Sequence, residues 1–271
     1  MRWAAQYLAV LAASASLGAD GARQAPTYSA ASIVNAASNA VGELAPNTVA
    51  IIYGTNLSYE TAAASGNAVR ELAGVQVTVG YVSAVLYYVS PGQVNLVIPN
   101  MLRGSEADLV LSLNAKAGPT VRIALREVAP ALFQWEGNTV VATRPDWTPV
   151  NASAPARPGD YVILFATGLG ETTPEAIWGQ APQAAAPLKR LSEFRVLLDG
   201  APVDAGRNGS IAYAGVAPGF AGLYQINLKL PGSLGNDPEI RIALGSQISP
   251  AGLRLPVRAA AGAQPAAWTM R

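Results

Sequence analysis

Two tandem antiparallel β-sandwiches are the fold that this 271-residue sequence predicts. Three observations predict it. First, the chain repeats itself in order. Pro46-Asn47-Thr48-Val49-Ala50-Ile51-Ile52-Tyr53-Gly54-Thr55-Asn56-Leu57 returns as Pro158-Gly159-Asp160-Tyr161-Val162-Ile163-Leu164-Phe165-Ala166-Thr167-Gly168-Leu169. Gln93-Val94-Asn95-Leu96-Val97-Ile98-Pro99 returns as Gln225-Ile226-Asn227-Leu228-Lys229-Leu230-Pro231. These spacings far exceed the roughly 20–50 residues of a solenoid unit, so a whole module is duplicated, and the second copy is the longer. Second, apolar residues recur with period two, as in half-buried strands. Third, turn signals such as Ser90-Pro91-Gly92, Asp199-Gly200, Asn208-Gly209-Ser210 and Pro218-Gly219 separate the runs at short intervals.

The elements follow in order. Residues 1–22 read as an export signal. Arg2 precedes the apolar or small run Trp3 to Leu17, and Ala13-Ser14-Ala15 and Leu17-Gly18-Ala19 are cleavage candidates. The run is shorter than the ~20 residues of a spanning helix; the alternative is an uncleaved anchor. A mature N-terminus between Ser16 and Gln24 is expected. No later stretch is long and apolar enough to span a bilayer, so the mature chain is expected to work outside the cytoplasm: extracellular, cell-surface or periplasmic.

The first module is expected over 27–130. Val75, Val77 and Val79, then Leu109, Leu111 and Leu113, then Val121, Ile123 and Leu125 alternate within it. Tyr59 to Arg70 reads as one or two helical turns or as a loop. Ala129-Pro130-Ala131 interrupts the pattern and marks the boundary. The second module is expected over 131–258, with Ile226, Leu228 and Leu230, then Ile240, Ile242 and Leu244 alternating. Gln180 to Pro187 reads as a long loop inside it, and 259–271 as a loose Ala-rich tail.

Several longer motifs resemble one family. They are Asn35-Ala36-Ala37-Ser38, Ile52-Tyr53-Gly54-Thr55-Asn56-Leu57, Tyr88-Val89-Ser90-Pro91-Gly92-Gln93-Val94-Asn95, Tyr161 through Gly170, and Ala217 through Asn227. Together they resemble the uncharacterised C-terminal domain of secreted proteins from Solibacter-type Acidobacteria, from about Ile33 to Val257. The resemblance implies two immunoglobulin-like modules of the plexin and transcription-factor type. It implies no activity and no catalytic residue. That domain usually ends a longer protein, whereas here it follows the signal almost directly.

Composition removes functions. The chain has no Cys and no His, which excludes thiol nucleophiles, Ser-His-Asp triads, disulfides and His or Cys metal sites. A net charge of +1 without a basic stripe argues against nucleic acid. No calcium loop, P-loop or nucleophile elbow appears, so neither a cofactor nor a metal is expected. Gly168-Leu169-Gly170 lacks the third glycine of a dinucleotide fingerprint and reads as a tight turn. Asn56-Leu57-Ser58, Asn151-Ala152-Ser153 and Asn208-Gly209-Ser210 fit the glycosylation sequon and are read as chance.

The acid/base resource is carboxylates: Asp146, Asp160, Glu171, Glu175, Asp199 and Asp204 in the second copy. A pair at the right separation, with one pKa raised, serves glycoside hydrolysis; scattered carboxylates are usually solvated. Trp147 and Trp178 stand in polar or Pro-rich segments. Exposed, they stack on sugars or anchor an interface; buried, they plug a sandwich end or the seam between modules. Tyr53 and Phe165 hold matching positions, which argues for a core role, and of adjacent Tyr87 and Tyr88 one is expected inward and one outward. The sequence therefore reads as a non-catalytic secreted or cell-surface binding or spacer protein for an extracellular polysaccharide or surface protein, with Trp147 and Trp178 as candidate binding residues. The alternatives are a carboxylate-using carbohydrate-active enzyme and a self-associating surface component.

Overall fold

The computed structural model describes residues 24–65, 68–178, 180–203 and 210–259. The export segment, Asp204, Asn208 and the tail beyond 259 lie outside the described residues. No helix among the described residues is long and apolar enough to cross a membrane.

The first module comprises β1 (Ile33–Asn35), β2 (Val49–Tyr53), β3 (Ala62–Ala63), β4 (Val75–Val79), β5 (Val82–Ser83), β6 (Val85–Ser90), β7 (Gln93–Val97), β8 (Glu106–Leu113), β9 (Lys116–Ala117) and β10 (Val121–Ala124). One sheet has the order β1-β2-β7-β6-β3, the other β10-β8-β4-β5 with β9 beside β8. Within 59–70 the described backbone holds the short strand β3 and no helix.

The second module comprises β11 (Ala131–Leu132), β12 (Ala142–Thr143), β13 (Pro149–Val150), β14 (Tyr161–Thr167), β15 (Ala186–Pro187), β16 (Phe194–Leu198), β17 (Ala201–Pro202), β18 (Ser210–Val216), β19 (Tyr224–Lys229), β20 (Ile240–Leu244) and β21 (Gln247–Ile248). Its sheets are β13-β12-β14-β19-β18-β15 with β11 on β14, and β17-β16-β20-β21. All strand pairs between these elements are antiparallel.

The repeat is structural. β2 and β14 hold the same place, each flanked by a left-handed residue: Asn47 at φ 64 matches Gly159 at φ 86, and Asn56 at φ 56 matches Gly168 at φ 74. Asn and Gly are the residues that enter this region most easily. The ladder slips at corresponding points, between Leu86 and Tyr88 in one copy and between Ile211 and Tyr213 in the other. Gln93 donates to Asn95 Oδ1 at 2.7 Å, as Gln225 donates to Asn227 Oδ1 at 2.8 Å.

Successive strand residues face opposite sides of a sheet. Ala50 and Ile52 point into the first module's own core with Val77, Leu96 and Leu111. Val162, Leu164 and Ala166 point into the second module's core with Val196, Ile226 and Ile242. Their neighbours Val49, Ile51, Ile163 and Phe165 meet in a third apolar cluster with Val34, Val97, Val141 and Leu223. The four sheets therefore stack in layers, and the two central sheets are buried on both faces.

The matching positions obey this arrangement. Ile51 and Ile163 both enter the seam cluster, Phe165 lies in it and Tyr53 packs against it. Leu57 and Leu169 each turn into their own module's core. The expected core role of Tyr53 and Phe165 is thus a role between modules.

Candidate functional site

Two loops of the second copy are longer than their counterparts, and both grip the first module. Residues 168–185 replace 54–61, and 217–223 replace 91–92. In the first, Asn100 Nδ2 donates to Ala176 O at 2.8 Å, and Trp178 packs against the seam cluster. In the second, Ala221 O accepts from the Tyr87 hydroxyl at 2.7 Å, and Phe220 and Ala221 pack on the same cluster. Thr167 Oγ1 accepts from the Val49 amide and donates to Gly222 O, both at 2.8 Å.

Beside this clamp the modules leave a cleft of about 500 Å³. Leu102, Leu125 and Val128 contribute apolar lining from the first module and the connection, Leu169 and Leu244 from the second. Arg103, Arg126, Glu127, Glu171, Lys189 and Arg190 bring charge to it. Glu171 accepts from Lys189 at 2.7 Å and lies 3.8 Å from Arg103. Arg190 bridges Glu127 at 2.7 Å and Glu193 at 2.6 Å, and Arg126 pairs with Glu43 at 2.9 Å. These pairs are solvent-exposed and add little stability. They form a wall of oriented donors and acceptors.

The hydrogen bond from Lys189 holds the Glu171 carboxyl below the usual carboxylate range, and Glu171 in turn raises Lys189. Arg190 likewise lowers Glu193. Hydrogen bonds from Thr148 lower Asp146. Desolvation raises Tyr224, whose buried hydroxyl donates to Gly170 O at the cleft's edge.

The two tryptophans do not share a surface. Trp178 is half-buried in the clamp at the Thr167 end of β14. Trp147 is 37% exposed in the β12–β13 turn. Thr143 pairs with Ile163, so that turn projects toward Tyr161, the opposite end of β14. Among the carboxylates, Glu171 and Glu175 both lie near Lys189. Asp146 caps the Trp147 turn, Asp160 accepts from the Arg157 amide at 2.8 Å, and Asp199 accepts from the Glu239 amide at 2.9 Å. Gly168 and Gly170 are both left-handed turn residues. Of Tyr87 and Tyr88, expected one inward and one outward, Tyr87 packs against the seam cluster, and buried Tyr88 pairs with Asn95, itself opposite the seam residue Ile51; the slip between Leu86 and Tyr88 breaks the alternation there.

The sequence reading missed the roles of Asn100, Thr167 and Gly222, and it named Glu171 without its partners Arg103 and Lys189. The signal that pointed to the clamp was the extra length of the second copy.

No protein-family model matches the chain, and no curated protein matches it. Solved Ig-like and plexin-type repeat structures align with it. The plexin A4 full extracellular region aligns at 10% identity over 88% of this chain and 16% of that one, with a TM-score of 0.31. SGBP-B of the Bacteroides ovatus mixed-linkage glucan utilization locus, in complex with a mixed-linkage heptasaccharide, aligns at 10% identity over 83% of this chain and 46% of that one, with a TM-score of 0.32. Domains 5–6 of the S-layer protein SbsC align at 9% identity over 86% and 98%, with a TM-score of 0.29. This chain spans less than half the length of the first two, and superpositions this loose carry no argument about what it binds. By its own strands and sheets the chain is an all-β protein of two tandem Ig-like antiparallel sandwiches.

Proposed function

We propose that this chain is a non-catalytic secreted or cell-surface binding and spacing protein, related to the acidobacterial domain its motifs resemble, that receives an extracellular polysaccharide or surface protein in the seam cleft. The observation that carries the reading is the third apolar cluster. It holds the modules face to face, so the cleft between them has walls set before any ligand arrives, which lowers the ordering cost of binding. Its volume is in the ~300–1,000 Å³ range of ligand sites, and it combines apolar lining with a few convergent polar groups.

An enzyme reading needs one carboxyl raised enough to donate a proton. The shifts that separate Glu171, Glu193, Asp146 and Asp108 from ordinary carboxylates are all downward. Held low by Lys189, the Glu171 carboxylate in the cleft is suited to accept hydrogen bonds from a ligand, not to donate a proton.

The test is a glycan array followed by calorimetry on the mature protein and on the charge reversals Arg103→Glu and Lys189→Glu. Both residues are exposed, so the variants should fold and lose the ligand. Unchanged binding removes the ligand from the cleft. Glycan turnover that vanishes in Glu171→Gln replaces the reading with the enzymatic one.

A further inference from the structure

A second surface lies at the Tyr161 end of the second module, away from the clamp. Its parts are brought together by hydrogen bonds, not by sequence proximity alone. Arg144 opens the β12–β13 turn and donates to Ala154 O at 3.0 Å and Pro155 O at 2.9 Å. That ties the Trp147 turn to the segment leading into Arg157. The turn 157–160 is tied in its own right to the end of β19: Gly159 N donates to Pro231 O at 3.0 Å, and Leu230 N to Asp160 O at 2.8 Å. Tyr161 pairs with Lys229 across the ladder, and the Lys229 ammonium lies 5.7 Å from the Tyr161 ring centroid.

Two aromatic side chains are presented there, Trp147 at 37% and Tyr161 at 48% exposure. Trp147 holds φ 68, a conformation a bulky side chain rarely adopts. Asp146 fixes it by accepting from the Thr148 amide at 3.0 Å and hydroxyl at 2.7 Å. The charges are unevenly matched. Arg258 is paired with Asp237 at 2.7 Å, whereas Arg157 and Lys229 have no carboxylate partner among the described ion pairs. Asp160 faces its own turn through the Arg157 amide. A shallow depression of about 560 Å³ opens between Arg144, Arg157, Asp160 and Arg258.

We propose that Trp147 and Tyr161, with Arg157 and Lys229, form a binding site for a carboxylated polysaccharide. Aromatic faces stack on the apolar faces of sugar rings, and they select no charge. The unmatched guanidinium and ammonium groups supply the selectivity, since charge-assisted hydrogen bonds to carboxylate are the stronger kind and Arg offers a fork that fits it. The site does not depend on the seam cleft being occupied.

Affinity electrophoresis of the mature protein in gels containing polygalacturonate or dextran tests this. Retardation by polygalacturonate and not by dextran is expected, weakening as salt is added. Arg157→Gln with Lys229→Gln should weaken it about fivefold or more, and Trp147→Ala with Tyr161→Ala should abolish it. Arg122→Gln, on the outer sheet of the first module, should leave it unchanged, whereas loss of retardation in Arg103→Glu with Arg157→Gln/Lys229→Gln still retarded places the polysaccharide in the cleft and overturns the proposal. If the aromatic variant fails to melt cooperatively, the exposed Arg157/Lys229 pair decides the matter alone. No retardation of the wild type, equal retardation by dextran, or wild-type behaviour of the charge variant overturns the proposal.

Discussion

The Val49 amide donates a hydrogen bond to Thr167 Oγ1 at 2.8 Å. It joins the first residue of a central strand in one module to the last residue of the equivalent strand in the other. Thr167→Val keeps the shape and leaves the Val49 N–H and the Gly222 carbonyl without this partner. Stranding a buried donor and acceptor costs about 2–3 kcal/mol. Urea unfolding should show that loss, and Thr167→Ser should recover most of it. A Val variant as stable as the wild type means the bond contributes nothing net.

Gly222 tests how tightly the seam is closed. At φ 71, an added Cβ meets Asn47 O at 2.9 Å, Val97 Cγ1 at 3.0 Å and Val49 Cγ2 at 3.1 Å. At Gly219, with φ 89, it meets nothing within 4 Å. Both Ala variants suffer the left-handed backbone, and only Gly222→Ala must also push the modules apart. Gly222→Ala should cost about 1–3 kcal/mol more than Gly219→Ala in paired thermal melts. Equal costs would mean the seam gives way easily.

The tryptophans should separate by sign. Trp178→Ala removes a half-buried ring from the clamp and should destabilise by about 2–3 kcal/mol. Trp147→Gly relieves a left-handed conformation, and stability should hold or rise by up to about 1 kcal/mol. If calorimetric melts show the reverse, Trp147 is the ring that the fold covers and Trp178 the one it leaves free.

Alkaline pH should open the protein. Desolvation raises the pKa of Tyr224, within the second core, and of Tyr87, at the seam. Folding thus favours the neutral phenol. The associated stability is fully present below the unfolded-state tyrosine pKa of about 10 and is lost as pH rises above it. Melting temperature should fall steeply from about pH 10 upward, and less steeply in Tyr87→Phe. A flat profile across that range would remove the burial argument.

Glu171 should titrate the other way. Its carboxyl is held low by Lys189, so carboxyl chemical shifts should give a midpoint below that of an ordinary glutamate. Lys189→Met should move it upward. A midpoint above the ordinary value in the wild type would reopen the proton-donor role.

Alternation in Val75–Val79 and Leu109–Leu113 was legible because one face of each strand meets the core and the other water or a loop. The repeated segments Val49–Tyr53 and Tyr161–Thr167 show nearly unbroken apolar runs. That is the pattern of a strand buried on both faces, although the run does not say what covers the second face. Asn47 and Asn56 answering to Gly159 and Gly168 were legible for the same local reason, since left-handed turns restrict residue choice.

Partners across the seam were not legible. Val49 meets Thr167 through the relative placement of two folded bodies, and no periodicity encodes which faces meet or at what angle. The cleft follows from that placement, because its walls come from both modules. Trp147 and Trp178 show the limit most directly. Both stand in polar, Pro-containing loops with similar local preferences. One is covered by another module and the other is exposed, because sequence sets the turn while the neighbouring chain decides what lies above it. By itself the sequence determined a duplicated, Cys- and His-free all-β chain of alternating strands. Only the tertiary structure decided that the two repeated strands bury their second faces against each other, since that burial is a contact between segments more than ~100 residues apart and its energy depends on shape, not on order along the chain.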